Sequence, residues 1–251
     1  MANFSGYSSP DDDDRTVKQM RDSERLLYNP LRQTFAGIKK QVAKRVRRAY
    51  KADIALFDVD YWIAFLTNLA GQPLSEIAIT AIRDSFRDMD LPTADRDLTD
   101  YEKDIATAVK KSTGKMVEGF TEDEKELRRK IKQEIARQPL LRGEELFKRL
   151  DKVSDGYFSP FKVSRIAQTT TTFANGDIVV KAHSRNKFES IWRHTGRGKT
   201  DRATHVAADG QKKGADGYFY VGGEKLLHPA SGSAANSINC HCVVRAGKRI
   251  S

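Results

Sequence analysis

Apolar residues recur at helical spacing through most of the first 155 residues. Between Ile38 and Lys51, the residues Ile38, Val42, Val46 and Ala49 form one stripe, while Lys39, Lys40, Lys44, Arg45, Arg47, Arg48 and Lys51 cover the remainder. From Ala52 to Leu69 the chain is more apolar, and Leu56, Phe57, Tyr61, Trp62, Phe65 and Leu66 predict a helix with a wide aromatic face. Gly71-Gln72-Pro73 predicts a break, Leu74 to Met89 a second amphipathic helix, and Leu91-Pro92-Thr93 its stop. Helical spacing resumes from Asp100 to about Glu118 and again from Thr121 to Ala136. The latter opens with Thr121 as a cap and Glu122, Asp123 and Glu124 in the first turn, where carboxylates suit the helix dipole. A shorter helix is expected from Glu145 to Lys152, and Asp155-Gly156-Tyr157-Phe158-Ser159-Pro160 marks the clearest boundary.

Beyond that boundary the texture changes. Phe161 to Ala182 predicts one helix despite the β-branched run Thr169 to Thr172. Ser190 to His194, Gly217 to Val221 and Ile238 to Val244 are strand-like pieces joined by loops rich in Gly, Ser and Lys. The first residues carry Ser, Pro and four consecutive aspartates, Asp11 to Asp14, too polar to build a core. The expected organisation is a disordered or partner-ordered arm over 1–24, a helical region over 25–155, and a small α+β module over 160–248. The fold class is α+β, mainly helical in its N-terminal part. There is no internal repeat.

Charge and cysteine content narrow the chemistry. A net charge of +10 and a pI near 9.5 favour polyanionic surroundings, whether DNA, RNA or an acidic protein surface, or serve solubility alone. No apolar run is long enough to span a bilayer, and the N-terminus lacks the basic start and apolar stretch of a signal peptide, so synthesis in a cytoplasm is expected. The only cysteines, Cys240 and Cys242, are one residue apart, a poor spacing for an intramolecular disulfide. Free thiols in a reducing compartment, or a metal, fit better.

In an extended strand, residues two apart share a face, so both sulfurs would project together and His241 the opposite way. His205 upstream supplies an imidazole, and His228 or Asp209 a fourth ligand, a set that selects zinc. The competing reading is a pair of small buried cysteines beside a hydrogen-bonded histidine. The His-x-Glu and Pro-Cys-x-x-Cys of zinc deaminases do not occur, and neither does a nucleophile elbow or a Walker loop. Arg202, His205 and Asp209 form a loop set that is more often structural, and no enzymatic activity is expected. Two basic sets are candidates for phosphate or partner contact: Lys44, Arg45, Arg47 and Arg48 in the first helical stretch, and Arg185, Lys187, Arg193 and Arg197 around Phe188 and Trp192. Solvated surface is the alternative for both.

The C-terminal third carries an ordered series of short signatures. These are Arg165-Ile166-Ala167-Gln168-Thr169-Thr170-Thr171-Thr172 with Ala174-Asn175, the Trp-centred Ser190-Ile191-Trp192-Arg193-His194-Thr195, and Arg202-Ala203-Thr204-His205 followed by Asp209-Gly210-Gln211. Then come Tyr218-Phe219, Val221-Gly222-Gly223-Glu224-Lys225-Leu226-Leu227-His228-Pro229, and Ser237-Ile238-Asn239-Cys240-His241-Cys242. In order and spacing this series resembles the Mu F-like head morphogenesis family of SPP1-type phage minor head proteins, over roughly Lys162 to Val244. That family has an Ala-Arg-Thr-Glu-Thr-like helix, a Trp strand, an Arg-x-x-His before Asp-Gly, and a final Asn-Cys-Arg-Cys. Here Gln168 and Thr170 stand where the family carries an acidic residue, and His228-Pro229-Ala230-Ser231 stands for its Tyr-Pro-Gly-Asp. The resemblance implies a structural protein in the virion interior, linked to the portal or the major capsid protein, that assists head assembly, DNA packaging or delivery. An internal DNA-associated protein ejected with the genome is the alternative it leaves open, with a phage-borne nuclease or transferase behind it.

Overall fold

The computed structural model describes residues 15–49, 58–93, 98–137, 143–155, 157, 159–195 and 201–250. Arg15–Ala49 is one helix, α1, of 35 residues, about 50 Å long at 1.5 Å per residue. The arm expected over 1–24 does not include residues 15–24. Residues 1–14 lie outside the described set, whereas 15–24 are helical, and Met20 packs against Val243 at 1% exposure. Pro30 sits inside α1, but Leu27, Leu31, Phe35, Ile38 and Val42 are all buried around it. Each such burial stabilises by about 1.5–3 kcal/mol, which outweighs the roughly 3 kcal/mol cost of an internal proline.

The same balance corrects the expected break at Gly71-Gln72-Pro73. Val59–Asp88 is continuous as α2, capped by Asp58, whose carboxylate accepts the Tyr61 N–H. Leu66, Ala70, Leu74 and Ile77 are buried on both sides of Pro73. Of the predicted aromatic helix, residues 52–57 lie outside the described set. A 3-10 turn at Thr99–Tyr101 leads into α3, Glu102–Arg137, which joins the two helices expected from Asp100 to Glu118 and from Thr121 to Ala136. The acidic cluster that resembled a first turn instead forms ion pairs along one helix. Glu122 bonds Lys125 at 2.8 Å, Glu124 bonds Arg128 at 2.6 Å and Glu126 bonds Arg129 at 2.6 Å.

After α4, Gly143–Asp155, the helix α5 runs from Pro160 to Arg185, with Ser159 accepting the Lys162 N–H and proline in the first turn. It has no polar face, because α1, α2 and α3 surround it and the strands cover its end. Strand β1, Phe188–Arg193, pairs antiparallel with β4, Val243–Arg249, with Trp192 opposite Val244. Strands β2, Phe219–Val221, and β3, Glu224–Leu226, form a hairpin turned by Gly222-Gly223. Both glycines have positive φ, as a two-residue hairpin turn requires. Two short helices, α6 (Ala203–Ala207) and α7 (Ala234–Ser237), complete the module. The α+β class is as expected, but the strand bounds are not: β4 begins after Cys242, so the two cysteines occupy the loop before it.

Two apolar cores lie end to end. The first joins α1, α3 and α4 to Leu66–Ile77 of α2 and to Val163, Ala167 and Ala174 of α5. The second joins Ala78 to Met89 and Ile178 to Ala182 with Trp192, Phe219, Val221, Leu226, Cys240, Cys242 and Val244. Helices α2 and α5 thus cross both cores. At the boundary read at 155–160 the packing does not divide, because α5 belongs to both halves.

Candidate metal centre

Three segments from distant parts of the sequence build the site. Strand β1 places Trp192 in the second core, its indole edge-on to His205 at 5.6 Å and to Phe219 at 5.5 Å. Helix α6 presents His205, and its N-terminus is tied down by Arg202, which donates to the Ile238 carbonyl at 2.5 Å. The loop before β4 supplies the cysteines. Asn239 adopts a left-handed conformation (φ 57°) that turns the chain from α7 into this loop, a geometry asparagine tolerates better than most residues. Helix α5 then holds the loop at two places four residues apart. Gln168 donates to the His241 ring at 2.8 Å, and Thr172 donates to the Cys240 carbonyl at 3.0 Å. Thr195 adds a bond to the His241 carbonyl at 3.1 Å.

The result brings His205 Nδ1 to 3.5 Å from Cys242 Sγ and 3.6 Å from Cys240 Sγ. All three ligand atoms lie within 4.8 Å of one another, and all three residues are at most 2% exposed. The alternation expected of a strand is kept in the loop, with both sulfurs inward and His241 turned onto Gln168. Beside the cluster is a cavity of about 10 Å3, lined also by His194, Asp201, Arg202 and Asn239. This is close to the room one water-sized atom needs. The two thiols divide their protons unequally. Their mutual hydrogen bond draws Cys240 well below the ordinary thiol range, against burial and with help from His205. The same bond, together with burial, pushes Cys242 up.

The remaining candidate ligands are elsewhere. His228 is pinned against α5: its ring stands edge-on to Phe173 at 4.8 Å, and Nδ1 donates to the Pro229 carbonyl at 2.9 Å. Its Nε2 faces Asp177 at 3.7 Å. Burial, opposed by the Pro229 carbonyl and Asp177, lowers its pKa to about 4. Asp177 is itself buried. Desolvation acts to raise its pKa, but hydrogen bonds from Lys181 and Lys111 prevail and hold it low. Asp209 accepts the His194 N–H at 3.0 Å and faces Arg193 at 3.6 Å, which makes it a clamp on the end of β1. No protein-family model, curated protein or solved structure matches this chain.

Among the described basic candidates, two are held by carboxylates. Arg185 bonds Asp104 of α3 at 2.7 Å, and Arg193 is taken up by Asp209. Lys187 sits at a left-handed turn (φ 59°) between α5 and β1. Lys44 is exposed on α1 and Arg45 half-buried. Arg197 and the side chains of Arg47 and Arg48 lie outside the described residues. Sequence reasoning missed Asn236 of α7, whose amide oxygen meets His205 Nε2 at 3.3 Å. A lone asparagine before Ser237-Ile238 carries no signal along the chain that it would meet a histidine 31 residues away.

Proposed function

We propose that this chain is a structural minor head protein of the Mu F-like type, acting at the portal vertex of a phage head in assembly, packaging or delivery. One observation supports the reading most. Several of the signatures that carry the resemblance, from Gln168 to Cys242, pack on or beside one cluster, while His228 lies apart from it against α5. Gln168 and Thr172 hold the Cys240–Cys242 loop, Trp192 packs on His205, Arg202 ties α6 to the same loop, and Asp209 clamps the end of β1. Collinear motifs that fold into one mutually supporting unit are what a shared module requires, whereas chance matches have no reason to touch.

The helical part favours docking on protein. Helices α1 and α3 offer surfaces of about 50 Å each. Arg185 and Arg193, two of the basic positions suited to phosphate, are instead engaged with Asp104 and Asp209. Co-expression with the portal protein of the same genome tests the proposal. Stable co-purification that survives high salt is expected. Association only through DNA, falling steeply as salt rises, would favour the ejected, DNA-held reading.

A further inference from the structure

We infer that His205, Cys240 and Cys242 bind one zinc ion, and that Asn236 sets the tautomer of His205 that makes this possible. The hydrogen bonds around Asn236 select one tautomer of His205. The Asn236 amide nitrogen donates to the Val221 carbonyl at 3.3 Å, so the amide oxygen is the atom turned to His205 Nε2. An amide oxygen only accepts, so Nε2 carries the proton and Nδ1 keeps a bare lone pair. That lone pair faces both sulfurs, at 3.5 and 3.6 Å. Without a metal, one thiol bonds Nδ1 and the two thiols bond each other. A shared ion accounts for both nitrogen–sulfur contacts. With Zn–S near 2.3 Å and Zn–N near 2.0–2.1 Å, the nitrogen–sulfur edge of a tetrahedron is about 3.6 Å.

Two thiolates and an imidazole are the donor set that selects zinc over the hard cations. The small cavity beside the three ligands, where Asp201 and His194 stand 3.2 Å apart, leaves room for a water as the fourth donor. His228, held on Asp177 and Pro229, takes no part. Binding would release the thiol protons and fasten α6, α7 and the loop before β4 to one another. The ion is thus a cross-link in a module whose two sheets have two strands each among the described residues. This assignment does not depend on the assembly role.

The test uses the full-length protein, purified under reducing conditions without chelator and then exchanged with cobalt(II). About one zinc per chain is expected, and the cobalt form should show intense tetrahedral visible bands with sulfur-to-metal charge transfer. X-ray absorption on the zinc form should give two sulfur neighbours. Cys242→Ser and His205→Asn should each lose the ion. Asn236→Ala should weaken affinity 10–100-fold while leaving the cobalt spectrum that of the wild type, because the ligands are unchanged. His228→Asn should keep the wild-type zinc content. If a serine variant fails to fold, the wild-type spectrum alone decides. Wild-type protein that is metal-free and gives no charge-transfer band on adding cobalt overturns the assignment, as does a bound metal without sulfur neighbours. Asn236→Ala with wild-type affinity removes the role of Asn236.

Discussion

Gly222 and Gly223 look interchangeable in the sequence, yet their surroundings differ. Both have positive φ, but a Cβ on Gly222 would lie 2.7 Å from the Asn236 amide oxygen, whereas a Cβ on Gly223 meets nothing within 4 Å. Gly223→Ala should therefore cost only backbone strain, about 1 kcal/mol. Gly222→Ala should cost more, about 2–3 kcal/mol, because it also dislodges the residue that orients His205. Equal denaturation midpoints for the two variants would contradict this. Three buried histidines have pKa values lowered to about 4, His241 among them, and the two away from the cysteine loop make a second prediction. His183, bonded to Ser190 and facing Lys213, and His228, facing Asp177, Lys115 and Lys213, both have pKa values lowered from 6.5 to about 4, chiefly by burial. Below pH 6.5 the unfolded chain takes up protons on both while the folded protein does not, until about pH 4. Stability should thus fall as pH drops through that window, by up to about 1.4 kcal/mol per pH unit for each histidine. Urea titrations at a series of pH values check the slope, and a flat profile between pH 6.5 and 4 would refute it.

The elements are held by contacts that their own patterns only partly announce. Trp62 of α2 lies over Gly37 of α1, where an added Cβ would fall 2.0 Å from the ring, and its indole N–H donates to Gln41 at 2.6 Å. Gly37→Ala should force the two helices apart at a cost of about 1–3 kcal/mol. Thermal unfolding measures this, and Gly71→Ala, at an open position of α2, should be neutral or stabilising by comparison. Helix α5 shows the limit of periodicity. Its apolar positions do not form a stripe because it is covered on several sides, so the pattern reads as a helix without telling which neighbours surround it. Threonine at 170–172 is tolerated there since small side chains let the flanking helices approach, and Thr172 also finds a carbonyl to bond.

At the scale of the molecule, the continuity of α2 and α5 through both cores decides how the chain can be divided. A fragment 159–251 would keep the strands and the His–Cys cluster but expose the face of α5 that α1, α2 and α3 cover. Expressed alone it should aggregate or bind hydrophobic dyes, and co-expression with 1–158 should restore a soluble complex. A fragment 159–251 that is monomeric and folds cooperatively would restore the boundary implied by the sequence. The same helix meets the cluster through Gln168 and Thr172, two α5 residues that grip the cysteine loop.

Local pattern alone determined that the region over 25–155 is mainly helical among its described residues, that a helix follows the boundary at 155–160, and that a strand carries Trp192, because spacing is a property of neighbouring residues. It also singled out Cys240, Cys242 and His205, since their chemistry is rare in this composition. Tertiary packing decided the rest. Burial on both sides of Pro30 and Pro73 overrode the local preference to break, and one core spanning Met116 to Ile131 fused two helices into α3. Whether His205 meets the sulfurs while His228 does not depends on which loops return to α5. That is set by contacts as far apart in the chain as Gln168 and His241, 73 residues, which no local pattern encodes.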